Sequence, residues 1–181
     1  SRKVVEYGIE ALKAVWHRGA VDADGKTGDG AGIHIEIPKN FFKEKIEITG
    51  HKYDNSEICI GMIFLPRNNY EAQESCRTLV EKELTQNGFS IYGWRQVPVN
   101  TKVLGEKAEQ TRPEITQVLF RYNNQKIVGK ALEIKLYETR RKIENNARQE
   151  NLDNFYICSF SSKSIIYKGM FLAEALADFY P

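Results

Sequence analysis

Long apolar runs are missing from this sequence. Its most apolar stretch, residues 58–65, is closed by Pro66, far short of the roughly 20 apolar residues that a membrane-spanning helix needs. The first residues carry no apolar signal-peptide core, so no membrane partner is expected. A surplus of one charge is missing too. Twenty-six Lys and Arg stand against 24 Asp and Glu, a net charge of +2, which sets up no field for nucleic acid or an anionic surface. Cysteine is scarce. Cys59, Cys76 and Cys158 are odd in number, widely spaced and set among apolar residues, which excludes a disulfide framework and any recurrent metal-ligand spacing. Buried free thiols in a reducing, cytoplasmic compartment are the expectation. At 181 residues, the chain fits one ordinary domain with a sizeable core.

What the sequence does have is a glycine-rich loop between a helical pattern and a strand pattern, at residues 17–38. Gly25, Gly28, Gly30 and Gly32 are interleaved with Asp22, Asp24, Asp29 and Lys26. Glycines at this density let a backbone lie closely against something, at a cost in conformational entropy that an ordinary connector avoids. Three ligand readings fail on spacing or context. Gly25-Lys26-Thr27 resembles the end of a phosphate loop, but the glycine required five residues earlier falls on Ala20, and a phosphate loop follows a strand and opens a helix, the reverse of the order here. Asp22-x-Asp24 resembles the start of a calcium loop, but Lys26 takes the third ligand position and Ile33 the closing one. Gly28-x-Gly30 is half of a dinucleotide fingerprint, again in the wrong context.

Around the loop, hydrophobic period predicts the elements. Val5, Ile9, Leu12 and Trp16 recur at helical spacing, widened by Val4, Ala11 and Val15, giving a helix over 3–17 that Gly19 stops, with His17 and Arg18 on its last turn. Ile33, Ile35 and Ile37 alternate with His34 and Glu36, a half-buried strand ended by Pro38, and Phe41, Phe42 and Ile46 anchor a short helix. A strand at 58–65 leads to a helix opened by an Asn68/Glu71 capping box, buried through Ala72, Cys76, Leu79 and Val80, and ended by Gly88. Residues 89–99 read as a strand with Ile91, Val97 and Val99 on one side and Tyr92 and Trp94 on the other. A strand at 114–122, a helix at 127–148 turning Leu132, Leu136, Ile143 and Ala147 inward, and a strand at 155–160 complete a β-α-β, β-α-β order. That order predicts a ferredoxin-like unit at about 57–160 inserted in a larger α+β domain. Lys130, Lys135, Arg140, Arg141, Lys142 and Arg148, set against Glu133, Glu138 and Glu144, mark a solvated, ion-paired helix face. Residues 161–163 read as a hairpin turn, and 170–179 as a final helix.

Several blocks together resemble the N-terminal glutaminase domain of glutamate synthase large subunits, within the class II glutamine amidotransferases. They are His17-Arg18-Gly19-Ala20-Val21, residues 24–33, Phe64-Leu65-Pro66, residues 92–98, residues 111–115 and Ser164-Ile165-Ile166-Tyr167-Lys168-Gly169-Met170. The resemblance covers essentially the whole chain. It implies an α+β fold, a four-layer αββα sandwich of the N-terminal-nucleophile hydrolase type, here partial and carrying the ferredoxin-like insertion. It implies glutamine as substrate, with ammonia passed to synthase domains of the same chain for the reductive conversion of 2-oxoglutarate to glutamate. In such enzymes the nucleophile is an N-terminal cysteine whose own α-amino group serves as base. None of the three cysteines here qualifies, so the catalytic cysteine is expected to lie before Ser1, and the Asn-Gly oxyanion element after Pro181. These 181 residues alone are accordingly expected to be inactive. Arg18 and Gly19 are expected to support the active site, with Gly28, Asp29 and Gly30 in a loop beside it. FMN and an iron–sulfur cluster would belong to other domains, and FAD with NADPH to a small electron-transfer subunit, unless ferredoxin is the donor. Two other classes stay open: a non-catalytic interaction or regulatory module, and, more weakly, a nucleotide-binding protein using the glycine loop.

Overall fold

The structure is a computed structural model that describes residues 2–15 and 19–181. The architecture is α+β, as expected. In chain order it comprises α1 (Arg2–Ala14), β1 (Ala31–Glu36), α2 (Lys39–Ile48), β2 (Ile58–Leu65), α3 (Tyr70–Gln86), β3 (Phe89–Gln96), α4 (Glu106–Thr111), β4 (Glu114–Tyr122), α5 (Gly129–Gln149), β5 (Tyr156–Ser161), β6 (Ser164–Gly169) and α6 (Leu176–Phe179). No helix among the described residues is long and apolar enough to cross a membrane.

The chain divides into two compact units. One gathers residues 1–35, 98–112 and 166–181; the other gathers 36–97 and 113–165. In the second, a four-stranded sheet has the order β3-β4-β2-β5, and each neighbouring pair is antiparallel. Each strand-helix-strand segment therefore leaves a gap of one strand, which the other segment fills. This is the ferredoxin-like arrangement. Its core lies between α3 and α5 and one sheet face, where Cys76, Val80 and Leu84 from one helix and Leu132, Leu136 and Ile143 from the other meet Cys59, Ile63, Val118 and Phe120. Cys59, Cys76 and Cys158 are all buried free thiols. Burial pushes the Cys76 thiol up to about 11 and Cys59 higher still, so neither supplies a nucleophilic thiolate.

The helix ends and strand registers carry the corrections. The cap of α3 is Asn69, not Asn68: its side chain accepts from Ala72 N at 3.0 Å, and the shift by one residue leaves Glu71 in the first turn rather than closing a box. In β3 the expected alternation breaks, because register slips between Ile91 and Gly93. Tyr92 is the extra residue of a bulge. Trp94 then joins Ile91 against the helix-side core, while Tyr92 is buried on its own and hydrogen-bonds Ser56 Oγ at 3.0 Å. Phe41 is not an anchor of α2. It is 37% exposed, whereas Phe42 and Ile46 are fully buried, and its ring instead meets Lys45 and Arg95. Residues 161–163 do not turn a hairpin either. β5 pairs with β2, whereas β6 pairs with β1, so the chain changes sheets there.

The expected final helix over 170–179 contracts to a 3₁₀ turn at Ala173–Ala175 and the short α6. Met170 to Leu172 stay extended or bent, with the Phe171 ring folded back over Gly169. The first helix ends at Ala14, and its expected stripe is only half-buried at Val5, Ile9 and Leu12, with Val4 and Val15 exposed. Trp16, His17 and Arg18 lie outside the described residues. β1 alternates as its sequence requires, Ile33 and Ile35 inward and His34 and Glu36 outward.

Candidate functional site

The glycine-rich stretch is a miniature hairpin, not an open loop. Asp22 N donates to Thr27 O at 2.8 Å and Asp29 N to Ala20 O at 3.3 Å, with Val21 and Gly28 forming the bridge between them. The turn closes through Gly25 N to Asp22 O at 3.0 Å, with Gly25 at φ 71°, a left-handed position that suits glycine. Asp24 caps the turn from inside. Its Oδ1 accepts from Lys26 N at 2.9 Å and Thr27 N at 2.7 Å, and its Oδ2 accepts from Thr27 Oγ1 at 2.5 Å. These bonds, the Thr27 hydroxyl first, pull the Asp24 carboxyl down to about 2. Asp22 is held below the usual carboxylate range by the Lys107 ammonium, and Lys107 is raised by the same contact.

The protein's own groups occupy the carboxylates that give this stretch its calcium-like spacing. Asp22 Oδ1 accepts from Ala23 N and its Oδ2 from Lys107 Nζ, both at 2.7 Å. Together with the bonds to Asp24, every carboxylate oxygen of the pair is already engaged by the protein.

The hairpin rests on later parts of the same unit. A Cβ on Gly28 would press on the Phe171 backbone and the Leu172 side chain at 3.0–3.1 Å. A Cβ on Gly32 would meet Lys168 and the Tyr167 carbonyl. Gly28 is buried, so this glycine serves close packing.

Beside the hairpin opens a cleft of about 430 Å³. Gly19 to Val21 line one part of it, Gly25 and Gly28 to Ala31 another, and Leu12 and Val15 with Phe171 to Glu174 the rest. Its walls are mainly apolar, glycines together with Leu12, Val15, Phe171 and Leu172, and Asp29 and Glu174 are the ionisable residues on it. Asp29 Oδ2 is partly taken by Ala20 N at 3.2 Å. Of the expected site residues, then, Gly19, Gly28, Asp29 and Gly30 come together on one cleft, and Arg18 lies outside the described residues. Lys168 contributes its backbone: its carbonyl accepts from Tyr180 Oη at 2.8 Å.

Sequence reasoning passed over Thr27, Gly105 and Lys107. Thr27 is 2% exposed, although nothing in its polar neighbourhood signals burial, because its partner is Ala108 on α4. The one legible hint was Gly105 immediately before the helix-favouring residues 106–111.

The family described as Glutamine amidotransferases class-II matches residues 1–181. The Glutamate synthase [NADPH] large chain of Azospirillum brasilense is 56% identical over 180 residues, which are 99% of this chain and 12% of that protein. The Ferredoxin-dependent glutamate synthase of Pyropia yezoensis is 37% identical over 184 residues, 99% of this chain and 12% of the relative. Its chloroplastic counterpart from Spinacia oleracea is 35% identical over 182 residues, 99% of this chain and 11% of the relative. The chain thus spans about 12% of the length of the first two of these glutamate synthases.

Proposed function

The chain belongs to the class II glutamine amidotransferases, and on that premise we propose that it contributes to the glutamine-hydrolysing site of a glutamate synthase. Ammonia released from glutamine would serve the reductive conversion of 2-oxoglutarate to glutamate by synthase domains of the same protein. The observation that carries this reading is the glycine-edged cleft at Gly19, Ala20 and Gly28–Gly30, where residues of the blocks that carry the family resemblance come together. A small, mainly apolar cleft of this kind suits an uncharged carboxamide beside a nucleophile, since such a group needs no counter-charge.

The nucleophile in this reading is the terminal cysteine of the processed protein, activated by its own amine. Arg18 and Gly19 hold that cysteine and the glutamine in register, and Gly28, Asp29 and Gly30 form the adjoining wall. The reading also expects FMN, an iron–sulfur cluster and FAD. They are assigned to other domains or to an electron-transfer subunit, with NADPH or ferredoxin as donor, and no step is routed through them. The ferredoxin-like unit at about 57–160 is assigned a structural place in the same domain.

The test is glutamate release from glutamine by the full-length parent protein. Arg18→Ala is expected to lower kcat/KM by about 10- to 100-fold, the range for a lost positioning contact, with the far-UV circular dichroism unchanged. A folded full-length protein inert toward glutamine, with its synthase domains present, would move the interaction-module reading to the front.

A further inference from the structure

The hairpin at 20–29 is tied to a segment that the sequence reading left without a role. Residues 98–112 leave the ferredoxin-like unit between β3 and β4, join the compact unit that holds the hairpin, and return. There they form a 3₁₀ turn at Thr101–Val103 and then α4. Asn100 N donates to Phe179 O at 2.9 Å, which moors the segment to the last helix of its unit.

Three contacts join α4 to the hairpin. Lys107 Nζ reaches Asp22 Oδ2 at 2.7 Å. Ala108 N donates to Thr27 Oγ1 at 3.4 Å, and the same hydroxyl donates to Asp24 Oδ2. Gly105, which precedes α4, packs so closely on Asp24 and Thr27 that a Cβ there would overlap both side-chain oxygens. The Thr27 hydroxyl is thus spent on both sides: as donor it fixes the turn through Asp24, and as acceptor it fixes the helix. Substituting either neighbour pushes on the other. Thr27 is also joined in sequence to Gly28, Asp29 and Gly30, which face the cleft. A displacement at Thr27 reaches that wall within one residue.

We propose that Asp24, Thr27 and Gly105 are positioning residues for the glutamine site, and that residues 98–112 act as a strut holding the hairpin, and with it the Gly28–Gly30 wall, in the geometry that receives the carboxamide. This inference rests on the glutaminase reading above. The strut touches no reacting atom. Its contribution is conformational: a hairpin this short has little apolar packing of its own, and its exposed turn bonds compete with water unless something fixes them.

The experiment uses the full-length parent protein carrying Thr27→Val, Thr27→Ser or Gly105→Ala, with steady-state glutaminase kinetics and amide hydrogen exchange measured on each. Thr27→Val keeps the shape and removes both hydroxyl bonds; Thr27→Ser keeps the hydroxyl. The expected result is that Thr27→Val and Gly105→Ala speed exchange at the Asp22 and Thr27 amides and lower kcat/KM for glutamine by about 10- to 100-fold, mainly through KM, while Thr27→Ser restores both readouts. Faster exchange with unchanged kinetics would overturn the positioning role. Unchanged exchange in Thr27→Val and Gly105→Ala would overturn the strut, as would a serine variant as impaired as the valine one. A wild-type protein that turns over no glutamine overturns the glutaminase reading itself and the purpose assigned to the strut. Exchange rates need no turnover, so they tell that failure apart from a failure of the strut.

Discussion

Asp24 shows how an exposed carboxylate acquires a fixed task. It faces solvent, yet three donors from Thr27 and Lys26 aim at it and hold its carboxyl at about 2, against an ordinary 3.8. A lowered carboxyl stabilises the form that keeps it charged, so its contribution is complete above the unfolded value and is lost as pH falls through the folded one. Between pH 3.8 and about 2, the hairpin is therefore expected to loosen. The Thr27 amide resonance, followed in an acid titration, should move with a midpoint near 2; a midpoint at the ordinary carboxylate value would show that the three bonds do not form in solution. Legibility at this scale followed the nature of each residue's neighbours. The burial of Cys59, Cys76 and Leu136 was readable because apolar residues recur around them at regular spacing. Thr27 was not, because what buries it is the backbone of Ala108, 81 residues further on.

Elements with a strong period were read to within a residue or two, and those without one were not. β2, β4 and α5 stand almost where alternation and helical spacing put them, and the basic face of α5 is laced by Lys135–Glu138 and by Arg140 and Arg141 to Glu144. β3 begins where it was expected but ends at Gln96 rather than at residue 99, and its far half was turned over, since one bulged residue exchanges the two faces downstream. Gly93 makes that exchange possible: its φ of 149° lies where side chains rarely go, and Thr49 Cγ2 stands 3.1 Å from where a Cβ would be. Gly93→Val should accordingly cost about 1–3 kcal/mol, read as a lower denaturant midpoint at unchanged slope. A neutral substitution would mean that the bulge relaxes at no cost. The short α4 escaped prediction, and the final helix was drawn longer than α6 proves to be, for a related reason. Runs of six and four residues offer too few turns for a period to emerge.

Across the whole molecule, the division into two units does not follow chain order. The unit holding the hairpin is assembled from three separate segments and the ferredoxin-like unit from two. Sequence reading treats neighbours in the chain as neighbours in space, so it found the ferredoxin-like order, whose helices join strands of one sheet, but not the traffic at 98–112. Because Val97 N still bonds Ile115 O at 3.0 Å across the base of that excursion, replacing residues 98–112 by a short glycine-rich turn in the intact chain should leave the β2–β4 ladder whole. Amide protection at Val118 and Leu119 is expected to stay within about threefold, while protection at Asp22 and Thr27 falls toward that of a frayed turn. Loss of protection at both places would make the segment a general support of the fold. The same topology sets a timetable during synthesis. The Lys107–Asp22 pair spans 85 residues, and ribosomes add about 5–20 residues per second. The hairpin leaves the ribosome on the order of ten seconds before residues 98–112 can brace it, and until then it stands open to proteases and chaperones.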